Sequence, residues 1–302
     1  MFDIVSAGHF AVDSIFLPDR KNPFVVLGGS VTYVSLAARR LDARVSVISK
    51  VGSDFPEAYK WWLEQEGVDL SNLVKVEGAH TTRFELKYND DFSERDLRSD
   101  CRMPPITVDD VSNAPRAKAV HIGPIAGEVA YDVVEKLKSC CEVTSLDPQG
   151  LVRRFDETGN VTLGPLVDER VLGLIDIFKS SLSELWAVTG LSEFEPAVKA
   201  MHDRGVKIVI TTLGAKGAAV SVDGTIHNVP AFKPERLIDP TGAGDAFIGG
   251  FLAEYVRGED CRWCSCAGAA IASLVVEGIG PTFFGDREEI IRRARVLYEK
   301  QI

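Results

Sequence analysis

Along the chain, short apolar runs rich in β-branched residues alternate with longer amphipathic stretches. The strand-length runs are Ile4–Ala7, Val45–Ser49, Ala119–Ile122, Val143–Leu146, Ile175–Phe178 and Lys207–Thr211. Between them lie helical stretches at Ser30–Leu41, Phe55–Glu66, Val129–Ser139, Leu182–Val188 and Pro196–Arg204. This alternation predicts an α/β fold with a mostly parallel central sheet and helices on both faces. The last third changes character. Val220–Val222 and Ile226–Val229 flank Asp223-Gly224, a hairpin signal, and helices are expected over Ala243–Arg257, Cys261–Glu277 and Asp286–Glu299.

Two stretches break the alternation. In Thr81–Arg102, Arg83, Glu85 and Lys87 interleave with Phe84, Leu86 and Tyr88, the period of a strand with one solvated face. Asp13–Val26 is extended and interrupted by Pro18 and Pro23. Segments 13–26 and 81–102 are therefore expected to pair into a small β lid over a ligand. No repeat or long linker divides the chain, so 1–302 reads as one α/β domain.

Composition narrows the partners. Apolar residues make up 45% and charged residues 26%, which excludes a wholly disordered chain. The net charge of −10 offers no block of cations to neutralise phosphates, so no nucleic-acid partner is expected. No apolar run reaches the ~20 residues that cross a bilayer, so no membrane partner is expected either. Met1-Phe2-Asp3 has no cationic lead, and adjacent Cys140-Cys141 suits reduced thiols better than a disulfide framework. A cytoplasmic location follows as the expectation. Cys261, Cys264 and Cys266 lack a fourth metal ligand nearby and read as buried helix thiols. His9 and His121 stand at strand ends, where a structural role is the simpler account. Arg292, Arg293 and Arg295 are expected on a solvated face of the last helix.

The strongest chemical signal is Asp239-Pro240-Thr241-Gly242-Ala243-Gly244-Asp245, which runs into an apolar helix. Gly242 and Gly244 permit backbone conformations closed to other residues, and Ala243 is small. The amides of such a helix start favour an anion. An aspartate there needs another task, and accepting the proton of an attacking hydroxyl supplies one. A dinucleotide fingerprint fails because Phe247 stands where a third glycine is required, and no Gly-Lys-Ser/Thr of a phosphate-binding P-loop is present.

This string resembles the signature of the ribokinase (PfkB) family of carbohydrate and nucleoside kinases. Three further elements match in order: Asp13 after Gly8, the pair Gly28-Gly29 opening a helix, and Thr212-x-Gly214-x-x-Gly217 after a strand. The resemblance implies a ribokinase-like three-layer fold and an ATP-dependent phosphotransferase acting on a sugar, polyol or nucleoside hydroxyl. Asp245 would be the base, and the amides of Gly242, Ala243 and Gly244 the anion hole. Asp13, Gly28 and Gly29 would bind the acceptor, and Thr212, Gly214 and Gly217 would line the ATP site. Glu184 would hold Mg2+ through water, and Asp239 and Thr241 would flank a monovalent cation such as K+. A homodimer through the lid edge is consistent with the family.

Departures from the family pattern bear on the acceptor. Ser181 replaces the asparagine of the Asn-x-x-Glu motif, and Tyr33 replaces an asparagine that grips sugar hydroxyls in many members. Tyr33 serves equally well as helix packing. Asp147-Pro148-Gln149-Gly150-x-x-Arg153 is similar to the form in the myo-inositol kinase branch, as is Gly280-Pro281-Thr282-Phe283-Phe284. Asp147, Gln149 and Arg153 are thus expected at the acceptor, with myo-inositol first. Nucleosides, pentoses, hexoses and sugar phosphates stay open, the last because Arg83, Arg95, Arg98 and Arg102 lie near the lid. The rival from another class is a ligand sensor on the same fold without turnover, which the intact Asp245 speaks against.

Overall fold

The computed structural model describes residues 1–18, 20–92 and 95–300. The chain opens with β1 (Phe2–Ala7), then β2 (Ala11–Phe16), β3 (Phe24–Gly28), α1 (Ser30–Arg40), β4 (Val45–Gly52), α2 (Glu57–Gln65) and β5 (Val68–Val76). Next come β6 (Thr82–Tyr88), β7 (Arg95–Cys101), β8 (Ala117–Ile122), α3 (Tyr131–Lys138) and β9 (Cys141–Leu146). A short α4 (Gln149–Val152) leads into β10 (Arg153–Phe155), β11 (Val161–Leu163) and β12 (Ile177–Ser181). The remainder is α5 (Leu182–Thr189), α6 (Phe194–Asp203), β13 (Ile208–Thr212), β14 (Ala218–Val222), β15 (Thr225–Val229), α7 (Ala243–Tyr255), α8 (Cys261–Val275) and α9 (Arg287–Glu299).

Nine strands form the central sheet in the order β15-β14-β13-β12-β9-β8-β1-β4-β5, parallel from β5 to β13. The antiparallel pair at the far edge turns at Asp223 (φ 48°) and Gly224 (φ 85°), the left-handed pair of a tight hairpin. Side-chain alternation sends Ile4, Ile208 and Ile210 into one core with α1, α7, α8 and α9. Val5 and Val209 point to the opposite core, under α3, α5 and α6. Strand order reverses between β1 and β8, and such a reversal opens a crevice at the carboxyl ends of the strands.

The second sheet is the expected lid, in the order β3-β2-β6-β7. Residues 19, 93 and 94 of the lid segments lie outside the described residues. On β6, Phe84, Leu86 and Tyr88 are buried while Arg83 and Lys87 are exposed, as the period-two pattern requires. Leu86 lies opposite Leu97, and Tyr88 opposite Arg95, across the β6–β7 ladder.

The structure corrects one expectation and adds two elements. Arg293 is buried, not solvated: it donates to Ser273 Oγ, Glu277 and Glu289, and Phe232 lies under its guanidinium. Its helical neighbours Arg292 and Glu289 made the segment look uniformly wet, yet α9 turns this one cation toward α8. The edge strand β5 and the β10–β11 hairpin were not legible, because polar residues such as Asp69, Ser71 and Asn72 interrupt the apolar pattern.

Candidate active site

The loop before α7 is tied from both sides. Asp239 is buried, and its carboxylate accepts from Thr241 N at 2.9 Å and Gly280 N at 3.0 Å. Thr241 Oγ1 meets Tyr88 Oη of the lid at 2.8 Å. Gly242 caps α7 with φ 76°, a left-handed conformation that glycine adopts without strain. A Cβ there would stand 2.2 Å from the Tyr33 ring, so the absence of a side chain is what lets Tyr33 seat against the loop. Tyr33 is buried, packs on Phe284 with ring centroids 6.4 Å apart, and still lines the cavity. It is both helix packing and part of the site wall. The Ala243 N–H, expected in the anion hole, donates to the Pro240 carbonyl at 3.3 Å.

Asp245 follows in the first turn of α7, where the helix dipole favours a carboxylate. Its Oδ1 accepts from Ser30 Oγ at 2.6 Å and from Gln149 Nε2 at 3.1 Å. Gln149 is oriented in turn by Arg153, whose Nη2 donates to Gln149 Oε1 at 2.7 Å while Nη1 donates to the Ile125 carbonyl at 2.8 Å. Three elements distant in sequence, α1, α4 and α7, thus converge on one carboxylate.

Beside Asp245 a cavity of about 390 Å³, counting its open mouth, is lined by Asp13, Gly29, Tyr33, Gln149, Arg153 and Thr241 among others. Phe84, Leu86 and Leu97 of the lid supply an apolar roof, and Arg95 reaches in from β7. Asp13 is buried at the floor of the lid sheet, and its Oδ1 has no hydrogen-bond partner among the described residues. Burial pushes its carboxyl up to about 7; Arg95 and Arg153 oppose the rise, and Asp239 and Asp245 add to it. Gly28 lies directly against it: a Cβ there would fall 1.9 Å from Asp13 Oδ2.

Asp147 behaves differently from the expectation of a polyol ligand. It is buried outside the cavity lining, with Oδ2 on Lys179 Nζ at 2.6 Å and Oδ1 accepting from Gln149 N at 3.1 Å. Lys179, which sequence reasoning did not single out, has Nζ 2.8 Å from where a Cβ on Gly244 would be. Burial alone would lower its pKa, but Asp147, Asp245 and Glu184 together raise it, so the ammonium stays charged under the helix start. Glu184 closes a capping box on α5, accepting from Ser181 N and Oγ at 2.7 Å each. Despite burial it is held below the ordinary glutamate value by Lys179 and the two Ser181 donors. Ser181 therefore takes over a contact within the capping turn.

Thr212, Gly214 and Gly217 stand at the end of β13, beside Ser181 in the ladder, and do not line the cavity. Thr212 Oγ1 reaches the Ser180 carbonyl at 3.4 Å, Gly217 closes on β15 and Pro230, and a Cβ built on Gly214 would meet nothing within 4 Å. His9 and His121 are buried and do not line the cavity: the backbone N–H of His9 donates to Glu128 Oε1 at 2.9 Å while its ring nitrogens have no partner among the described residues, and His121 Nδ1 pairs with Ser145 Oγ at 3.0 Å. Of the lid cations, Arg83 pairs with Asp54, Arg98 with Asp100, and Arg102 covers the Phe155 ring, which leaves Arg95 in the cavity. Ser30 and Lys179 are the additions that sequence reasoning missed, and of the four lid arginines it named the structure singles out Arg95; Ser30 had a signal, as the residue after the glycine pair.

Comparison with known proteins places this geometry. The chain is 30% identical over 295 residues to the cytidine kinase of Thermococcus kodakarensis, covering 93% of this chain and 98% of that one. It is 29% identical over 292 residues to the inositol 3-kinase of Oryza sativa subsp. japonica, covering 91% and 68%. Its fold superposes with TM-score 0.81, at 23% identity over 95% and 98% of the two chains, on a pyrophosphate-dependent kinase of the ribokinase family complexed with a pyrophosphate analogue and myo-inositol. With the pfkB family carbohydrate kinase model matching residues 1–286, and with the glycine-flanked Asp245 at the mouth of α7, the chain belongs to the pfkB family of carbohydrate kinases.

Proposed function

We propose that the protein transfers the γ-phosphoryl group of ATP to a hydroxyl of myo-inositol. One observation carries the reading: the Asp147–Arg153 turn delivers Gln149 onto the same Asp245 oxygen that Ser30 holds, beside a cavity with polar walls and an apolar lid roof. A ring polyol presents C–H faces to Phe84, Leu86 and Leu97 and hydroxyls to Asp13, the backbone around Gly28 and Gly29, and Arg153. The plant inositol 3-kinase relative supports the same acceptor.

Both restraints on Asp245 fall on Oδ1, which leaves Oδ2 to take the proton as the hydroxyl oxygen attacks the γ-phosphorus. The new P–O bond forms as the bond to the β,γ-bridging oxygen breaks, and that electron pair departs with ADP. Amides of Gly242 and Gly244 at the start of α7 face the charge on the transferred group, and Ala243 joins them by giving up its bond to Pro240. The lid sheet covers the cavity and limits loss of phosphate to water.

ATP would lie along Thr212, Gly214 and Gly217, where the open space at Gly214 accommodates it. Mg2+ would screen the phosphate charge, held through water by Glu184, whose ionised form the Lys179 and Ser181 contacts favour. Asp239 is a buried carboxylate with no Lys or Arg ion pair among the described residues, a donor set that suits a monovalent cation such as K+ with Thr241 beside it.

The test is an acceptor panel of myo-inositol, cytidine, adenosine, ribose and fructose, each with ATP or pyrophosphate as donor, read by product phosphate. Myo-inositol with ATP is expected to give the highest kcat/KM. A second reading, a nucleoside acceptor, is favoured by the Phe84 ring in the cavity lining and by the cytidine kinase relative. Cytidine turnover exceeding that of myo-inositol would decide for it.

A further inference from the structure

The Tyr88–Arg95 pair at the end of the β6–β7 ladder has a place in the site that packing does not explain. Its partner pair Leu86–Leu97 roofs the cavity, so the same inner face of the lid carries Tyr88 and Arg95 over the mouth of α7. Tyr88 is buried and its Oη touches two groups, Thr241 Oγ1 at 2.8 Å and Arg95 Nη1 at 3.3 Å. Arg95 is thereby held in fixed relation to the loop that carries Gly242 and Gly244. Among the described residues one of its five N–H donors is committed, and that one goes to a phenol rather than a carboxylate. The other cavity guanidinium, Arg153, gives one N–H to Gln149 and one to the Ile125 carbonyl, which turns it toward the acceptor side, and Lys179 is paired with Asp147.

We propose that Arg95 is a catalytic residue, whose guanidinium meets the equatorial oxygens of the phosphoryl group as it passes from the donor to the hydroxyl held at Asp245. A planar fork of N–H donors matches those oxygens, and the charge they carry in flight is what a fixed cation stabilises. Tyr88 is the positioning residue. It anchors the fork from the anion loop, so the lid brings the cation into register with the amides beneath it. Arg95 is an exposed residue of β7 whose guanidinium end lines the cavity; partial desolvation there lowers its pKa, but Tyr88, Glu184 and Asp245 more than restore it, in keeping with a permanent charge. The inference rests on the phosphoryl-transfer reading of the site and is independent of which acceptor is correct.

The experiment uses the full-length protein with ATP and Mg2+, run in parallel on myo-inositol and cytidine; whichever acceptor the wild type turns over is then used. Arg95→Ala is expected to lower kcat by about 10²–10³, the cost of removing one fixed donor to a reacting oxyanion. Acceptor KM should stay within about threefold, because the contact is made in the transition state. Added guanidinium ion should restore at least about tenfold of the lost rate to Arg95→Ala and none to Arg95→Lys, a response that a structural arginine does not give. Tyr88→Phe should slow the wild type by about tenfold and have no further effect in the Arg95→Ala background. Arg95→Gln serves if the alanine variant melts early. Folded variants with kcat within about threefold of wild type, a loss confined to KM, or no response to guanidinium would each overturn the assignment. A wild type that phosphorylates neither acceptor and hydrolyses no ATP would instead bring down the phosphoryl-transfer reading, and this inference with it.

Discussion

Asp13→Asn separates what the site costs from what it does. The Asp13 carboxyl is buried, has an oxygen without a partner, and titrates near 7 in the folded chain against an ordinary 3.8. A carboxyl whose folded pKa is raised stabilises the fold at low pH and loses that contribution as pH climbs through the folded value. From pH 5 to about 7 the unfolded chain has released this proton while the native chain keeps it, at about 1.4 kcal/mol per pH unit. Wild type should thus forfeit about 2–3 kcal/mol between pH 5 and pH 8 through this one group. Asparagine fills the same volume against Gly28 and does not ionise, so its stability relative to wild type should rise by that amount over the same interval. For a chain of this size that corresponds to a melting advantage roughly 5 °C larger at pH 8 than at pH 5. Calorimetric melts of both proteins at the two pH values measure it directly. At pH 8, where the Asp13 carboxyl is ionised, the acceptor kcat/KM should meanwhile fall by roughly 10–100-fold, the value of charge-assisted hydrogen bonds to hydroxyls. A melting difference that does not change with pH would refute the claim that Asp13 is held protonated by burial.

Three further outcomes follow from the same geometry. Asp245→Asn should reduce kcat by several powers of ten (about 10³ or more) with ATP affinity by titration calorimetry unchanged; near-normal turnover contradicts its role as base. Gly28→Ala places a methyl group 1.9 Å from Asp13 Oδ2 and must swing that carboxylate away. Acceptor KM should rise by about tenfold or more with ATP binding preserved, and an unaltered KM would remove Asp13 from the acceptor site. Asp147→Asn leaves the buried Lys179 ammonium without its partner and should cost about 3–5 kcal/mol in urea unfolding, while the double variant Asp147→Asn/Lys179→Met recovers most of it. Equal losses in the single and double variants would show that the pair is not what stabilises this corner.

Apart from β5 and the β10–β11 hairpin, the order of strands and helices, the lid segments and the glycine-rich loop before α7 were written in local pattern. Period two in Arg83–Tyr88 needs only neighbouring residues to be read, because a half-buried strand alternates its faces regardless of what it packs on. The glycines around Ala243 likewise announce a tight helix start, since few sequences reach that backbone conformation. Sequence alone thus set the fold class and singled out Asp245, Gln149 and Arg153, which the structure joins in one run of hydrogen bonds. What it left unresolved depended on which charge meets which. Asp147 follows β9 and Lys179 lies on β12, so their pairing exists only after the two strands are laid side by side. Arg95 looked like any of four lid arginines until the other three found carboxylates or a ring, and Arg293 looked wet until α9 turned it onto Glu277. Local spacing fixes the face a residue occupies. The partner waiting on that face is decided by chain crossings dozens of residues apart, and in a low-dielectric interior that partner determines whether a charged group pairs, titrates or reacts.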